Sequence, residues 1–332
     1  MSLASGRLKG EVAVIGGGIA GLAAARRLAE SGVEVVVLDK GRRPGGRMST
    51  RQQHGRQFDH GAQYIRPHSR RSAVLFSKWR KAGLITPWHA QALELPQRKK
   101  VDTSSWHVGL PSQGALIDYL AKDLTVQCQF TALDISGEKD RWSIIGHKHQ
   151  SAGPFKAVFV TCPAEQTALL MRPFPELHEI VSQASSRPCL ATMVEFEEEV
   201  MVDFEAAFLE KSSLAWVCRD SAKPGRPDKE CWLLQASEEF SRANLEDPPE
   251  AIASKMLHAF APLSPVELPP VSFCRGHRWR YAFASQTIEL KHPFFPEVGI
   301  GFAGDWLCSA NVDEAYWSGV DLAEHYLRLK EK

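Results

Sequence analysis

The chain has 332 residues, with 40 Lys and Arg against 39 Asp and Glu, so its formal net charge is +1. This length exceeds one ordinary domain, and the balanced charge excludes the basic footprint of a nucleic-acid-binding protein. No run approaches the roughly 18 apolar residues of a membrane span, and residues 1–10 lack the apolar core of a signal peptide, so we expect a cytoplasmic protein without a membrane partner.

Residues 12–39 predict a strand, a glycine-rich turn, a helix and a second strand. In the motif GGGIAG, Gly16 allows the tight turn, Gly18 lets the backbone approach a pyrophosphate, and Gly21 lets the helix pack closely on the strand. The second strand, 33–38, delivers Asp39 about 20 positions after the glycines, where a carboxylate accepts the ribose hydroxyls of a dinucleotide and repels a 2′-phosphate. The segment therefore predicts a Rossmann-type dinucleotide site that disfavours NADP.

The middle of the chain predicts further alternation of strands and helices. The predicted elements are a loop after Asp39, a strand with a glycine break at 56–65, a helix at 69–83, a strand and helix within 106–124, β segments at 126–135 and 142–147, and a buried strand at 155–163. The seven cysteines include no CxxC pair and no metal-like spacing, so we expect reduced thiols and no metal site.

From about residue 170 the pattern is typical of a mixed or antiparallel sheet. Strands are predicted at 189–196, 214–219, 231–237 and 271–284, with a helix at 249–260. The last segment predicts a strand at 298–305 and a helix at 312–329. We predict an α/β fold in which residues 1–66, 104–165 and 295–332 form the nucleotide-binding domain and residues 67–103 and 166–294 form a substrate domain.

Two further motifs favour FAD over NAD. In PGGRMS (44–49), two glycines permit close backbone approach and Arg47 can fork onto phosphate. In GFAGDW (301–306), Asp305 at the end of a strand can hold a ribityl chain or pyrophosphate, and the helix that begins near Asn311 can direct its positive end toward the flavin. Both elements describe an extended flavin dinucleotide.

These motifs, together with DHGAQYI, WHVGLPSQGALIDYL, HRWRY and the C-terminal AGDW and SANVDEAYWSG, resemble the renalase family of flavoproteins, which is related to flavin-containing amine oxidases. The resemblance implies noncovalent FAD in a p-hydroxybenzoate-hydroxylase-like fold. It also implies oxidation of 2- and 6-dihydro isomers of NAD(P)H to NAD(P)+, with O2 as the acceptor and hydrogen peroxide as the product. The residues that the resemblance assigns to FAD are Gly16, Gly18, Ile19, Ala20, Gly21, Asp39, Lys40, Gly46, Arg47, Met48, Gly61, Ala62, Gln63, Tyr64, Phe130, Asp305 and Val312.

The strand that contains HRWRY provides candidates for a substrate pocket. Alternation places Arg275, His277, Trp279 and Tyr281 on one face, and Arg278 and Arg280 on the other. The same face would equally suit a strand whose aromatic residues pack the core. No general base is required, since a dihydropyridine carbon already donates hydride. The pocket candidates are Gln63, Tyr64, Trp216, His277, Trp279 and Tyr281.

The amine-oxidase interpretation is weakened by two departures. Related amine oxidases place an aromatic residue before the final helix, where this chain has Asn311, and no SGGCY-like segment is present for covalent flavin attachment. Three hypotheses remain: a renalase-like dihydronicotinamide oxidase, an amine or other small-molecule flavin oxidoreductase, and a protein that keeps FAD as a structural ligand and acts by binding. The sequence does not indicate an oligomeric state.

Overall fold

A computed structural model of the protein describes residues 8–331. The expectation about a signal peptide concerns residues 1–10 and lies mostly outside this range. Within it the chain forms eight α-helices and twenty β-strands. The helices are α1 (Ile19–Glu30), α2 (Arg70–Lys81), α3 (Gln113–Ala121), α4 (Ala164–Leu170), α5 (Pro175–Ser182), α6 (Glu238–Ala243), α7 (Pro249–Phe260) and α8 (Val312–Lys330).

The strands follow in chain order. The first ten are β1 (Val12–Ile15), β2 (Val35–Leu38), β3 (Arg51–Gln53), β4 (Arg56–Phe58), β5 (Ile85–Pro87), β6 (Ala92–Leu95), β7 (Lys99–Lys100), β8 (His107–Gly109), β9 (Thr125–Gln127) and β10 (Ala132–Ser136). The last ten are β11 (Trp142–Gly146), β12 (Ser151–Phe155), β13 (Ala157–Val160), β14 (Ser185–Phe196), β15 (Ala206–Leu209), β16 (Leu214–Arg219), β17 (Glu230–Ala236), β18 (Val271–Gln286), β19 (Phe294–Phe295) and β20 (Ile300–Phe302).

The chain divides into two compact units. Within the described range, unit 1 comprises residues 8–46, 117–186 and 284–331, and unit 2 comprises residues 47–116 and 187–283. Both units are assembled from separate segments, as expected for a nucleotide-binding domain with insertions. These units show which residues pack together. The domain bounds that we expect from the sequence stay a prediction.

Unit 1 contains the α/β nucleotide-binding fold that the sequence predicts. Its six-stranded sheet has the order β19-β20-β13-β1-β2-β9, and all neighbours are parallel except the β19–β20 pair. Strands β1, β2 and β13 are buried at every position, which explains their continuous apolar runs. A three-stranded antiparallel sheet, β10-β11-β12, contributes to the same core.

Helices α1 and α8 cross in unit 1 at a very short distance. A Cβ atom on Gly319 of α8 would lie 2.0 Å from the carbonyl oxygen of Ala20. Only glycine permits this approach, because no real Cβ atom lies so close to a backbone oxygen. The contact therefore ties the C-terminal helix to the helix that follows the glycine-rich turn.

Unit 2 is built on a seven-stranded sheet with the order β18-β14-β17-β16-β15-β6-β7. The pairs among β14, β17, β16 and β15 are antiparallel, whereas β15 and β6 are parallel, so the predicted mixed sheet is confirmed. Two apolar clusters cover the sheet. Helix α7 contributes Ile252, Met256 and Phe260 to one, and the other contains Trp88, Trp106 and Trp216.

Several predicted strands were wrong in extent. The single β segment expected at 126–135 divides into β9 and β10, which belong to different sheets. The strand expected at 56–65 ends at Phe58, because the backbone from Asp59 to Ala62 gives its carbonyl groups to side-chain donors instead of to a neighbouring strand. The strand expected at 298–305 covers only Ile300–Phe302, because a turn closed by the N–H of Gly299 on the carbonyl of Phe295 precedes it. Helices α4, α5 and α6 are short and were not predicted.

All seven cysteines are free thiols. Among residues 8–331, no helix is both long enough and apolar enough to cross a lipid bilayer.

Gly319→Ala is predicted to lower the free energy of unfolding by about 1–3 kcal/mol, since the added methyl group forces α1 and α8 apart. The higher helix propensity of alanine, worth about 1 kcal/mol, offsets part of this loss. Urea unfolding measures the change. Arg328→Ala, on an exposed part of the same helix, is the control and should change stability by less than about 0.5 kcal/mol. Unchanged stability in the Gly319 variant would contradict the close crossing.

Candidate functional site

The glycine-rich turn of unit 1 has the geometry of a phosphate site. A Cβ on Gly21 would lie 2.0 Å from the carbonyl oxygen of Gly16, so this glycine is needed for close packing of helix on strand. By contrast, nothing lies within 4 Å of a Cβ built on Gly18, which caps α1 without a side-chain hydrogen bond. The space above Gly18 and the N–H groups of the first helical turn can therefore receive a pyrophosphate.

The second glycine motif packs on the first within unit 1. The N–H of Gly45 donates to the carbonyl of Gly17 at 2.7 Å. Gly46 has φ +50°, and a Cβ there would lie 3.6 Å from the Cα of Gly18. The second motif thus extends the same open backbone surface, as its expected contact with a dinucleotide requires.

Asp39 fixes the backbone around this surface. One carboxylate oxygen accepts the N–H of Gly17 and the other accepts the N–H of Gly41, each at 2.6 Å. A carboxylate has about four acceptor positions, so capacity remains for ribose hydroxyls. The neighbouring Lys40 is exposed. The N–H of Phe130 donates to the carbonyl of Asp39 at 2.9 Å while its ring is buried in the core, so the backbone of Phe130 lies beside Asp39.

The C-terminal elements of the candidate cofactor site also lie in unit 1. Asp305 begins a short 3₁₀ turn directly after Gly304 and is only 7% exposed. Val312 is the first residue of α8, and Asn311 is its N-cap. The first turn of this helix carries Asp313, which is 1% exposed, and Glu314. Their negative charges offset the positive end of the helix dipole, so the expected attraction of a negative flavin is reduced.

In unit 2, Arg47 contacts the segment 59–64. The N–H of Ala62 donates to the carbonyl of Arg47 at 2.9 Å, and a Cβ on Gly61 would lie 2.0 Å from that oxygen. The guanidinium of Arg47 donates to the carbonyl of Ala282 in β18 at 3.1 Å, and Met48 is buried. These contacts bring together two motifs that are separated in the sequence.

Three rings of unit 2 pack against one another, with the plane of His277 at 84° to that of His60 and at 66° to that of Trp279, and we call this group the ring wall. The centroid of His277 lies 4.8 Å from that of His60 and 4.4 Å from that of Trp279, and the rings of His60 and Trp279 are 5.1 Å apart. The indole N–H of Trp279 donates to the carbonyl of His60 at 2.7 Å. The predicted alternation of β18 therefore does place His277 and Trp279 on one face, where they meet His60.

The ring wall is electrically neutral but lies in a positive environment. Burial is the main cause that lowers the pKa of His60 and that of His277 to about 4, and the charge of Arg51 contributes to both values, after that of His60 in the case of His277. Arg275 also acts on His277, whereas Asp59 raises the pKa of His60 by a smaller effect. Both imidazoles are therefore uncharged at pH 7.

A second aromatic group extends from the same segment. Tyr64 stacks on Trp106 with centroids 4.0 Å apart and ring planes within 8°, and Trp216 lies 5.8 Å from Tyr64. Trp106 and Trp216 are buried in an apolar cluster of unit 2. Burial raises the pKa of Tyr64. Among residues 8–331, no ring contact joins Tyr281, the remaining pocket candidate, to either group.

Gln63 is held more tightly than the sequence suggests. It is 6% exposed, and both ends of its amide are hydrogen-bonded to protein groups. Sequence reasoning missed His60, although it lies within the DHGAQY motif, because histidines other than His277 were set aside. It also missed Asp59, Lys223 and Arg226, whose buried side chains surround Gln63 and have no spacing that sets them apart from surface charges.

Comparison with protein families matches residues 14–79 to the model of the NAD(P)-binding Rossmann-like domain. The flavin-containing amine oxidase B of Homo sapiens is 47% identical over 64 residues, and that of Sus scrofa is 45% identical over 64 residues. These matches cover 19% of this chain and only 12% of each relative. The shared segment therefore supports the nucleotide-binding motif and leaves the activity of the whole protein open.

Solved structures show the same fold along nearly the whole chain. A structure assigned as a protoporphyrinogen oxidase, from Exiguobacterium sp. 255-15, has a TM-score of 0.76 at 14% identity, with 97% of this chain and 99% of that chain covered. Putrescine oxidase bound to putrescine has a TM-score of 0.73 at 13% identity, with the same coverage. The chain therefore has the same fold as these two oxidases. The predicted fold class is confirmed.

The low pKa values of His60 and His277 predict that the folded protein loses stability in acid. An unfolded histidine takes up a proton near pH 6.5, but folded His277 does so only near about pH 4, so stability is lost as the pH falls between these values. His277→Phe keeps a ring but cannot take up a proton. Between pH 7 and pH 5, we expect its free energy of unfolding to fall by about 1–2 kcal/mol less than that of the wild type. Urea unfolding at both pH values measures this difference. His54→Gln, at an exposed histidine, is the control and should behave like the wild type.

Proposed function

We propose that the protein is an FAD-dependent oxidase that removes a hydride from 2- or 6-dihydro isomers of NAD(P)H, yielding NAD(P)+ and, with O2, hydrogen peroxide. The observation that carries this proposal is the positive environment of the neutral ring wall. A dihydronicotinamide dinucleotide combines a neutral ring with an anionic pyrophosphate; the uncharged aromatic side chains of the wall suit the ring, and Arg51 and Arg275 suit the pyrophosphate. We also propose that the protein is cytoplasmic, as the sequence leads us to expect.

The cofactor is noncovalent FAD. The open backbone at Gly18 and Gly46 fits its pyrophosphate, and Asp39 fits the ribose of its adenosine half. The proposal assigns the segment Gly61–Tyr64 to contact with the flavin ring, and it keeps Asp305 and Val312 among the residues that the sequence resemblance assigns to FAD. When bound, FAD supplies a hydride acceptor at flavin N5.

The protein itself has little proton chemistry to perform in this reaction. His60 and His277 are neutral, and every other contact described at the ring wall is a ring contact or a backbone hydrogen bond. Such a surface orients a flat substrate ring and keeps water from it. Orientation is the main requirement when the substrate already donates hydride.

An amine oxidase is the alternative, since the curated relatives matched in the nucleotide-binding segment are amine oxidases. Two observations weigh against it. An alkylammonium ion would be repelled by Arg51 and Arg275, and Asp59, the carboxylate next to His60, is already paired with Arg226. Asn311, in the position of the aromatic cage residue, donates its amide N–H to Ser309 at 2.8 Å.

Anaerobic mixing of the FAD-loaded protein with 6-dihydro-NAD, 2-dihydro-NAD and a panel of amines separates the candidates. The proposal predicts bleaching of the flavin band near 450 nm by a dihydro isomer within seconds. Rapid bleaching by an amine, with the dihydro isomers inert, would support the alternative. Bleaching by neither would support a protein that uses FAD only as a structural ligand.

Arg275→Gln should weaken binding of the dinucleotide without changing the chemistry. We expect KM for the dihydro isomer to rise about tenfold, equivalent to about 1.4 kcal/mol, with kcat little changed. Arg280→Gln is the matched control, because Arg280 lies on the other face of the same strand and pairs with Glu246. Steady-state oxygen consumption measures both constants. Equal effects of the two variants would contradict a specific role for Arg275.

A further inference from the structure

Four fully buried charges lie behind the segment that carries His60 and Gln63. The side chains of Asp59, Asp220, Lys223 and Arg226 are all 0% exposed. Lys223 pairs with Asp220, and its ammonium nitrogen lies 3.9 Å from the carboxylate of Asp59, which Arg226 approaches to 2.5 Å. We call this set the buried charge cluster, and its two positive and two negative charges cancel.

Stability alone does not explain the buried charge cluster. Transfer of four charges out of water carries a large desolvation cost, and well-packed apolar side chains at such positions are often equally or more stable. What charges provide, and apolar groups do not, is direction: each donor and acceptor fixes the orientation of its partner. The informative question is therefore which group the cluster orients.

The amide of Gln63 is that group. Its oxygen accepts hydrogen bonds from the ammonium of Lys223 and from the thiol of Cys218, each at 3.1 Å. Its nitrogen donates to the carbonyls of Asp59 at 2.6 Å and Gly61 at 2.8 Å. A flipped amide would place its NH₂ group against the ammonium, where both partners are donors, so Lys223 determines the orientation.

The amide in turn holds backbone that belongs to no helix or strand. The carbonyl of His60 accepts from Trp279, and the carbonyl of Gly61 accepts from Gln235 as well as from Gln63. At the start of the segment, the N–H of Asp59 donates to the carboxylate of Asp220 at 2.9 Å. Side chains therefore replace the ladder that a strand would provide, and the buried charge cluster anchors both ends of the arrangement.

We propose that Lys223 and Asp220 are positioning residues that fix the backbone of Asp59–Gln63, and with it the ring wall, through the amide of Gln63. The effect on a cofactor rests on the proposed function, which places this segment beside the flavin. The effect on the backbone of Asp59–Gln63 does not rest on the proposed function, and it is measurable without FAD.

Two variants test the proposal. Lys223→Met combined with Asp220→Leu removes a neutral pair and leaves Asp59 with Arg226. Gln63→Glu keeps an acceptor for Lys223 but removes the NH₂ group that donates to Asp59 and Gly61. Lys229→Met is the matched control, because Lys229 lies in the same loop but pairs with Glu195, away from Gln63.

The first measurement is the indole N–H resonance of Trp279 in FAD-free protein, since that group donates to the carbonyl of His60. We expect it to shift or broaden in both test variants and to stay unchanged in Lys229→Met. The second is FAD affinity with the visible circular dichroism of the bound flavin, where we expect a dissociation constant at least about fivefold higher and an altered spectrum.

An unshifted indole resonance in folded Gln63→Glu protein would overturn the proposal, whatever the double variant does. Altered indole resonances with unchanged flavin affinity and spectrum would keep the positioning of the segment and overturn its placement beside the flavin. Failure of dihydro isomers to reduce the wild-type flavin would contradict the proposed function alone, because neither measurement involves substrate.

Discussion

The nucleotide-binding half of the molecule depends on the two hydrogen bonds that the carboxylate of Asp39 accepts. By accepting the N–H groups of Gly17 and Gly41, this carboxylate fixes the turn after β1 and the loop after β2 at once. The second glycine motif then joins this arrangement through the hydrogen bond of Gly45 to Gly17. Because these partners are backbone groups, the surface left open above Gly18 has a defined shape without any ligand.

The ring wall depends on a segment with no regular structure. Residues 59–63 are held by hydrogen bonds from side chains, and the ring wall follows from them because Trp279 donates to the backbone of His60. This construction allows an uncharged aromatic surface to exist beside Arg51 and Arg275. A protonated histidine here would add positive charge next to arginines, and burial prevents it.

Sequence reasoning succeeded where periodicity and glycine spacing report directly on structure. Strand β1, helix α7 and the start of α8 lie where the apolar patterns and capping signals placed them. It failed at the strand expected from 56 to 65, because nothing in that segment shows that Trp279, Gln235 and Asp220 will supply its hydrogen bonds from distant parts of the chain. The pairing of His60 with His277 was missed for the same reason: alternation assigns a residue to a face of its own strand and does not identify what meets that face.

In the proposed function, the arginines beside the neutral ring wall favour an anionic dinucleotide. The most direct measurement is the second-order rate constant for anaerobic flavin reduction by 6-dihydro-NAD as a function of ionic strength, followed by stopped-flow absorbance. Attraction between the pyrophosphate and the arginines predicts a rate constant that falls steadily as salt is added. A rate constant that is independent of salt, or that rises with it, would contradict the account.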